Sequence, residues 1–157
     1  MTTDFTDLKQ AFAQFATGVV IVTCDSEIGP LAMTANSFSS VSLDPALVLW
    51  CAGKGSKRCD AFTQAPYFAI HVLEAEQAPL AKHFARSGDD FSLCPWQRGN
   101  HSVPLLEKSL ARFECRQYNK VDAGDHSIIV GAVERFEISK GAPLIFAQSG
   151  FGTYQTT

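Results

Sequence analysis

The sequence has no long hydrophobic run, no surplus of charge of either sign and no paired cysteines, and each absence removes a class of function. Its longest apolar stretches, such as residues 46–52, fall far short of the roughly 20 residues that span a bilayer. The opening MTTDFTDLKQ carries acidic residues and no apolar stretch of the kind a secretory signal needs. Thirteen basic and 16 acidic side chains give a net charge of −3, which provides no general drive toward nucleic acid or an anionic membrane. The five cysteines, Cys24, Cys51, Cys59, Cys94 and Cys115, are odd in number and contain no CxxC pair, so neither a disulfide framework nor a four-thiolate zinc site is expected. They read as small buried hydrophobes, Cys51 aside, because it opens a candidate binding loop. The four histidines show no ligand spacing, and no metal is expected. A soluble, cytoplasmic chain without nucleic-acid or membrane partners is the expectation.

What is present is the composition of one folded domain, residues 1–157. Apolar residues make up 46 % and charged residues 18 %, which excludes global disorder. A chain this long can bury roughly 68–70 % of its unfolded surface. Phe5, Leu8, Phe12 and Phe15 recur at spacings of three and four, predicting an amphipathic helix over residues 4–15 capped by Asp4 or Thr3. A β-branched run at 18–23, a Gly-Pro turn at 27–30 and a return at 31–34 predict a hairpin. Alternation at 38–42 predicts a half-buried strand, and 46–51 a buried one. A short helix is expected at 56–63 with Ser56 as its cap, a strand at 67–73, and a second helix at 76–86 with Pro79 in its first turn. Residues 88–99 read as an irregular loop. Two long strands, 111–121 and 126–138, flank a turn at 122–125, and 143–147 and 151–154 read as terminal strands. Strands that follow one another without intervening helices predict a mostly β fold, an antiparallel barrel or sandwich with peripheral helices.

Two stretches carry candidate chemistry. The first, Leu31-Ala-Met-Thr-Ala-Asn-Ser-Phe-Ser-Ser-Val-Ser42, is small and polar between apolar strands. Such a segment lets backbone N–H and C=O groups approach a flat heteroaromatic ligand, with Asn36, Ser37, Ser40 and Ser42 adding side-chain hydrogen bonds; a solvated hairpin edge would have the same composition. The second, Cys51-Ala-Gly-Lys-Gly-Ser-Lys-Arg58, runs from a buried strand into a helix start. Backbone donors there, with Ser56, Lys57 and Arg58, suit a phosphate, although the glycine spacing matches neither a Walker A loop nor GxGxxG.

Phe15-Ala-Thr-Gly-Val-Val-Ile-Val-Thr23, followed by Met33-Thr-Ala-Asn-Ser-Phe-Ser-Ser-Val-Ser-Leu-Asp-Pro45, resembles the opening of the short-chain flavin reductases, the reductase components of two-component flavin-dependent monooxygenases. Phe68-Ala-Ile-His-Val-Leu73, Phe84-Ala85, Gly124-Asp-His-Ser-Ile-Ile-Val-Gly-Ala-Val133 and Pro143-Leu-Ile-Phe146 extend the resemblance from about residue 8 to residue 154. It implies an FMN-binding split β-barrel with a Greek-key-like antiparallel course, a homodimer, and NAD(P)H:flavin oxidoreductase activity that passes reduced flavin to a separate monooxygenase. Flavin (FMN or FAD) and a nicotinamide nucleotide (NADH or NADPH) are the small molecules it implies.

Position by position, the resemblance puts Met33, Thr34, Ala35, Asn36 and Ser37 along the flavin ring and ribityl chain, and Ser40, Val41 and Ser42 at the pyrimidine edge. It puts Cys51, Ser56 and Lys57 near the ribityl phosphate, with Phe84, Ala85 and Arg86 close by. His126, in the late Asp-His pair, would flank the nicotinamide and is the one side chain nominated for a catalytic role; Tyr154 would border the same pocket. The loop at 54–60 departs from the family pattern, and Cys94-Pro95-Trp96-Gln97 matches no family motif, reading as a pocket entrance or a hydrophobic plug. Hydride transfer between the two nucleotides needs orientation more than acid–base help. Other readings of the same barrel are a flavin carrier, store or redox sensor without turnover, a pyridoxamine phosphate oxidase-like enzyme, and a dimerisation module with a vestigial pocket.

Overall fold

A computed structural model describes residues 4–157. In chain order the elements are α1 (Phe5–Ala13), β1 (Thr17–Gly18), β2 (Val20–Ser26), β3 (Gly29–Ala35), β4 (Ser39–Leu43), β5 (Ala46–Gly53), α2 (Cys59–Gln64), β6 (Tyr67–Val72), α3 (Ala78–Arg86), β7 (Trp96–Arg98), β8 (Pro104–Leu106), β9 (Ala111–Ala123), β10 (His126–Ile138), β11 (Leu144–Ala147) and β12 (Gly150–Thr153). Seven strands form an antiparallel sheet in the order β3-β2-β6-β9-β10-β5-β4, flanked by a β1-β11-β12 sheet and a β7-β8 pair. The mostly β, antiparallel architecture with peripheral helices is the one the sequence predicts.

The unbroken hydrophobic run of β2 follows from burial on both faces, since a strand covered on one side only would alternate. Val20, Val22 and Cys24 enter the barrel interior with Met33, Trp50, Phe62, Phe68 and Ile129. Ile21 points the other way, into an outer layer with Ala32, Leu80, Ala81 and Phe84, where α3 packs. The partner strand β3 alternates in step: Leu31 and Met33 face the interior, Ala32 faces α3. The fully buried His71 ties three elements together, with its Nδ1 3.0 Å from the carbonyl of Ile21 and its Nε2 accepting from the Leu106 N–H at 3.1 Å.

The two ends of the large sheet, β3 and β4, are joined by residues 36–38, so the sheet curls back on itself across this segment. One side chain holds the seam: Ser37 Oγ accepts from the Cys51 N–H at 2.9 Å and donates to the Cys51 carbonyl at 3.1 Å. Because β3 is an edge strand, backbone groups on its outer side have no strand partner. Opposite, β9 and β10 pair along their full length around a turn at Gly124, whose φ of +67° suits glycine. Gly131 sits at a register shift in β10, where a Cβ would lie 2.6 Å from Phe68 Cζ and 2.9 Å from Cys115 Cβ. The close packing of β10 on β6 and β9 requires its absence.

Several expectations need correction. The helix expected from Ser56 begins at Cys59; the Ser56 hydroxyl closes the preceding turn by accepting from the Arg58 N–H, and no side chain caps the helix. The strand expected over 38–42 begins at Ser39: Phe38, half-buried, stacks on Phe113 at the edge of the core, while β4 itself is exposed apart from the half-buried Ser42, as a sheet edge. Trp96 starts a short strand inside the stretch read as loop, and its ring packs 5.1 Å from Phe91, so Cys94–Gln97 serves the outer core as a plug. The predicted first helix is present, and Asp4 caps it through the Thr6 N–H at 2.9 Å; the alternative cap Thr3 lies outside the described residues. Its apolar face, however, is uncovered in the single chain, with Phe12 70 % and Phe15 79 % exposed.

Candidate functional site

The site is built where the open edge of β3 meets α3 and the end of β5. Three interactions fix α3 against that edge. Thr34 Oγ1 donates to the Ala81 carbonyl at 2.6 Å. The Ala32 N–H donates to the Gly88 carbonyl at 2.8 Å. Arg58, at the head of α2, donates through Nη1 to the carbonyls of Ala32 and Phe84, both at 2.7 Å, and through Nη2 to that of Ala85 at 3.2 Å. Burial pulls the Arg58 pKa down, while Asp89 opposes that shift. A guanidinium at the negative end of a helix dipole is stabilised there, and it satisfies carbonyls the helix leaves unpaired.

Since the N–H and C=O of Ala32 both point away from β2, those of Thr34, two residues on, share that direction. They face a cleft of about 350 Å³ lined by Val19, Thr34, Ala35, Asn36, Ala81, Lys82, Ala85, Arg86, Phe146 and Phe151. Its floor is small side chains and bare backbone, its far wall the rings of Phe146 and Phe151, tilted by 59° with centroids 5.3 Å apart. A planar heteroaromatic group fits this arrangement: apolar faces meet alanine and phenylalanine, and polar edges meet backbone donors and acceptors.

Of the residues singled out from the sequence, Thr34, Ala35, Asn36, Ala85 and Arg86 come together in this cleft. Ser37 and Cys51 form the seam beside it; burial raises the Cys51 pKa and so favours the neutral thiol, and the Ser37 hydrogen bond opposes that shift. His126 lies at the same end of the barrel. It opens β10 opposite Gly53, and Cys51 is two residues, about 7 Å, further along β5. Its Nδ1 lies 2.8 Å from Asp125 Oδ1, and that hydrogen bond and the imidazole charge hold the Asp125 carboxyl below its ordinary range. The other residues are placed apart. The side chains of Met33 and Phe84 are buried in the two cores. Ser40, Val41 and Ser42 lie on the outer edge strand β4, and Ser56 closes a turn. Lys57 lines a separate groove of about 800 Å³ with Arg58, Asp60, Asp89 and Arg86, and Tyr154 lies just past β12, exposed.

The cleft also contains side chains that sequence reasoning missed: Val19, Ala81, Lys82, Phe146 and Phe151. Lys82 stands four residues before Arg86, a spacing that puts both on one helix face and was legible in the sequence. The Phe146–Phe151 wall was not, because only the pairing of β11 with β1 and β12 brings it to α3.

Residues 12–155 match the family model described as a flavin reductase like domain. The chain belongs to the flavin reductase family. It is 48 % identical over 146 residues to the FMN reductase (NADH) SmoA of Agrobacterium fabrum, covering 93 % of this chain and 84 % of that one. It is 42 % identical to the reductase component of a flavin-dependent trigonelline monooxygenase from Acinetobacter baylyi, over 94 % of this chain but only 48 % of that one, so it spans about half that relative's length. Among solved structures, the NADH:FAD oxidoreductase SgcE6 of Streptomyces globisporus, determined with NAD and FAD fragments, superposes with a TM-score of 0.92 at 37 % identity, covering 99 % of this chain and 95 % of that one. The fold of this flavin reductase family member is thus the split barrel.

Proposed function

We propose that the chain is an NAD(P)H-dependent flavin reductase that reduces FMN or FAD by hydride transfer and supplies the reduced flavin to a separate monooxygenase. The observation that carries this is the cleft between β3 and α3, where unpartnered backbone groups of Thr34 and the small side chains of Ala35, Ala81 and Ala85 make a slot for a flat ring. Flavin and nicotinamide, when bound, supply the hydride chemistry themselves. The chain's part is to hold and orient them. The Thr34–Ser37 backbone binds the ring edge, where donors stabilise negative charge on a reduced ring. Asn36 adds a side-chain contact, and the Ser37–Cys51 clasp keeps the segment from opening. His126, oriented by Asp125, borders the nicotinamide side. Tyr154 and the β4 residues Ser40, Val41 and Ser42 reach the ligand only at its outer rim.

Two further parts belong to this reading. The exposed Phe5 and Phe12 on α1, Phe15 just past its end, and Phe136 and Ile138 on β10 support a homodimer that covers them. Release of reduced flavin to an oxygenase rests on the names of relatives such as the trigonelline monooxygenase reductase component and fits a cleft open to solvent. Among the described residues no helix is long and apolar enough to cross a membrane.

The test is steady-state oxidation of the nicotinamide nucleotide in air, with FMN or FAD paired in turn with NADH or NADPH. Turnover that requires added flavin is expected with at least one pairing. A protein that binds flavin but oxidises neither nucleotide would contradict the reading and leave a flavin carrier in its place.

A further inference from the structure

Arg58 stands where three elements meet. Its backbone is rooted at the start of α2, where Cys59 and Phe62 are buried and the Phe62 ring packs edge-on against Trp50 at 5.3 Å. Its head reaches out from that rigid base. Both hydrogens of Nη1 are spent on carbonyls, one of Ala32 on the edge strand β3 and one of Phe84 on α3, and Nη2 takes the next carbonyl of the helix, Ala85. Gly88 fits the same junction. A Cβ there would lie 2.4 Å from Arg58 Cδ and 2.9 Å from the Ala32 carbonyl oxygen, so only glycine lets the chain leaving α3 pass this close. The Gly88 carbonyl in turn accepts from the Ala32 N–H. Both backbone groups of Ala32 are thus taken on the outer side of β3, where an edge strand otherwise leaves them unpaired.

Thr34, two residues after Ala32, and Ala81, one turn before Ala85, form the two sides of the ring cleft, which Arg58 itself does not line. We propose that Arg58 is a positioning residue for flavin reduction: by bridging β3 and α3 it sets the width of the slot that receives the flat ring. The inference rests on the flavin-reductase reading and adds to it what holds the slot at ring thickness. The bond from Thr34 Oγ1 to the Ala81 carbonyl fixes one point of the helix on the strand. A second point is needed to fix the angle between them, and Arg58 supplies it at the last turn of α3. A guanidinium suits that task, because its donors lie in one rigid plane and the spacing of the carbonyls it joins follows from its own geometry; an ammonium on a flexible stem imposes no such plane. The sequence groups Arg58 with Ser56 and Lys57 as candidate phosphate donors, whereas in the fold its head is committed to neutral backbone.

A flavin without a phosphate separates positioning from phosphate binding. Dissociation constants for FMN and for riboflavin, the same ring and ribityl chain without the phosphate, are measured by quenching of flavin fluorescence. The proteins compared are the unaltered chain, Arg58→Met, Arg58→Lys, Gly88→Ala and Gly131→Ala, each with its urea midpoint. The proposal expects Arg58→Met to weaken both ligands by the same factor, about tenfold, the lower end of what loss of a charge-assisted hydrogen bond costs. Arg58→Lys, which keeps the charge and loses the fork, should fall between that variant and the unaltered protein. Gly88→Ala, whose methyl displaces the arginine stem, should weaken both ligands alike and takes the place of Arg58→Met should that variant not fold. Gly131→Ala, which strains the barrel interior away from this junction, should lower the midpoint and leave both constants unchanged. A loss for FMN alone overturns the proposal and makes Arg58 a phosphate ligand. Unchanged constants for both ligands in the Arg58 and Gly88 variants overturn it, whatever the midpoints, and leave Arg58 a tie that serves stability only. An unaltered protein that binds neither ligand overturns the flavin-reductase reading itself.

Discussion

Acidification should destabilise the fold through one buried side chain, His71. Its ring is fully enclosed, and both nitrogens are engaged as in a neutral imidazole: Nδ1–H donates to the Ile21 carbonyl and Nε2 accepts from the Leu106 N–H. Protonation would place a second proton on Nε2, facing a donor, inside an apolar layer. Burial therefore lowers the pKa from 6.5 to about 4, with the charge of Arg112 acting in the same direction and the Ile21 hydrogen bond opposing it. The unfolded chain then binds a proton the folded chain refuses, so this contribution to stability is complete above pH 6.5 and is lost as pH falls toward 4. At about 1.4 kcal/mol per pKa unit, the loss is about 2 kcal/mol at pH 5 and about 3 kcal/mol below pH 4. The assay is urea unfolding at pH 7.5 and pH 5 for the protein and for His71→Gln, where carboxylates common to both cancel. The protein should lose about 2 kcal/mol more than the variant. Should the variant not fold, proton NMR of the His71 ring replaces it and should show no titration above pH 5. Equal losses in the two proteins, or a ring that titrates near 6.5, would refute the reasoning.

Three other outcomes are expected. His126→Ala should slow oxidation of the nicotinamide nucleotide about tenfold, a transition-state loss of about 1.4 kcal/mol, while the circular dichroism spectrum stays unchanged; stopped-flow traces with an unaltered hydride-transfer rate would remove His126 from the site. Asn36→Leu should weaken flavin affinity by placing a branched apolar side chain at the ring edge, read by quenching of flavin fluorescence; an unchanged affinity would move the ring away from the end of β3. Gly131→Ala should cost about 1–3 kcal/mol of stability, because its methyl would lie 2.6 Å from Phe68 Cζ and 2.9 Å from Cys115 Cβ in a packed interior, and an unshifted denaturant midpoint would show that the barrel yields there at no cost.

Much of this fold was legible where local pattern and tertiary burial agree. The Val20–Ser26 and Gly29–Ala35 hairpin, the long pair β9 and β10 and the amphipathic α3 carry their own periodicity and turn residues. Legibility failed where a distant part of the chain decides. The three-residue strands β7 and β8 have no periodicity to detect and form only because they pair with each other. The alternation over 38–42 promises a buried face, yet the position of β4 at the sheet edge leaves only Phe38 and Ser42 half-buried. The spacing of Phe5, Leu8 and Phe12 marks one face of α1, although the helix ends at Ala13, short of Phe15, and no surface among the described residues covers these phenylalanines. The site shows the same division. The polar segment after β3 announces itself in sequence, whereas the placing of the Phe146–Phe151 wall across from α3 and the bond from Arg58 to the Phe84 carbonyl, 26 residues on, depend on the tertiary fold.

The most direct test of the account is a crystal structure grown with excess FMN. Density for the isoalloxazine ring should lie between the backbone of Thr34–Ser37 and the Ala81–Ala85 face of α3. A cleft left vacant or closed by its own side chains, with FMN bound elsewhere, would contradict it.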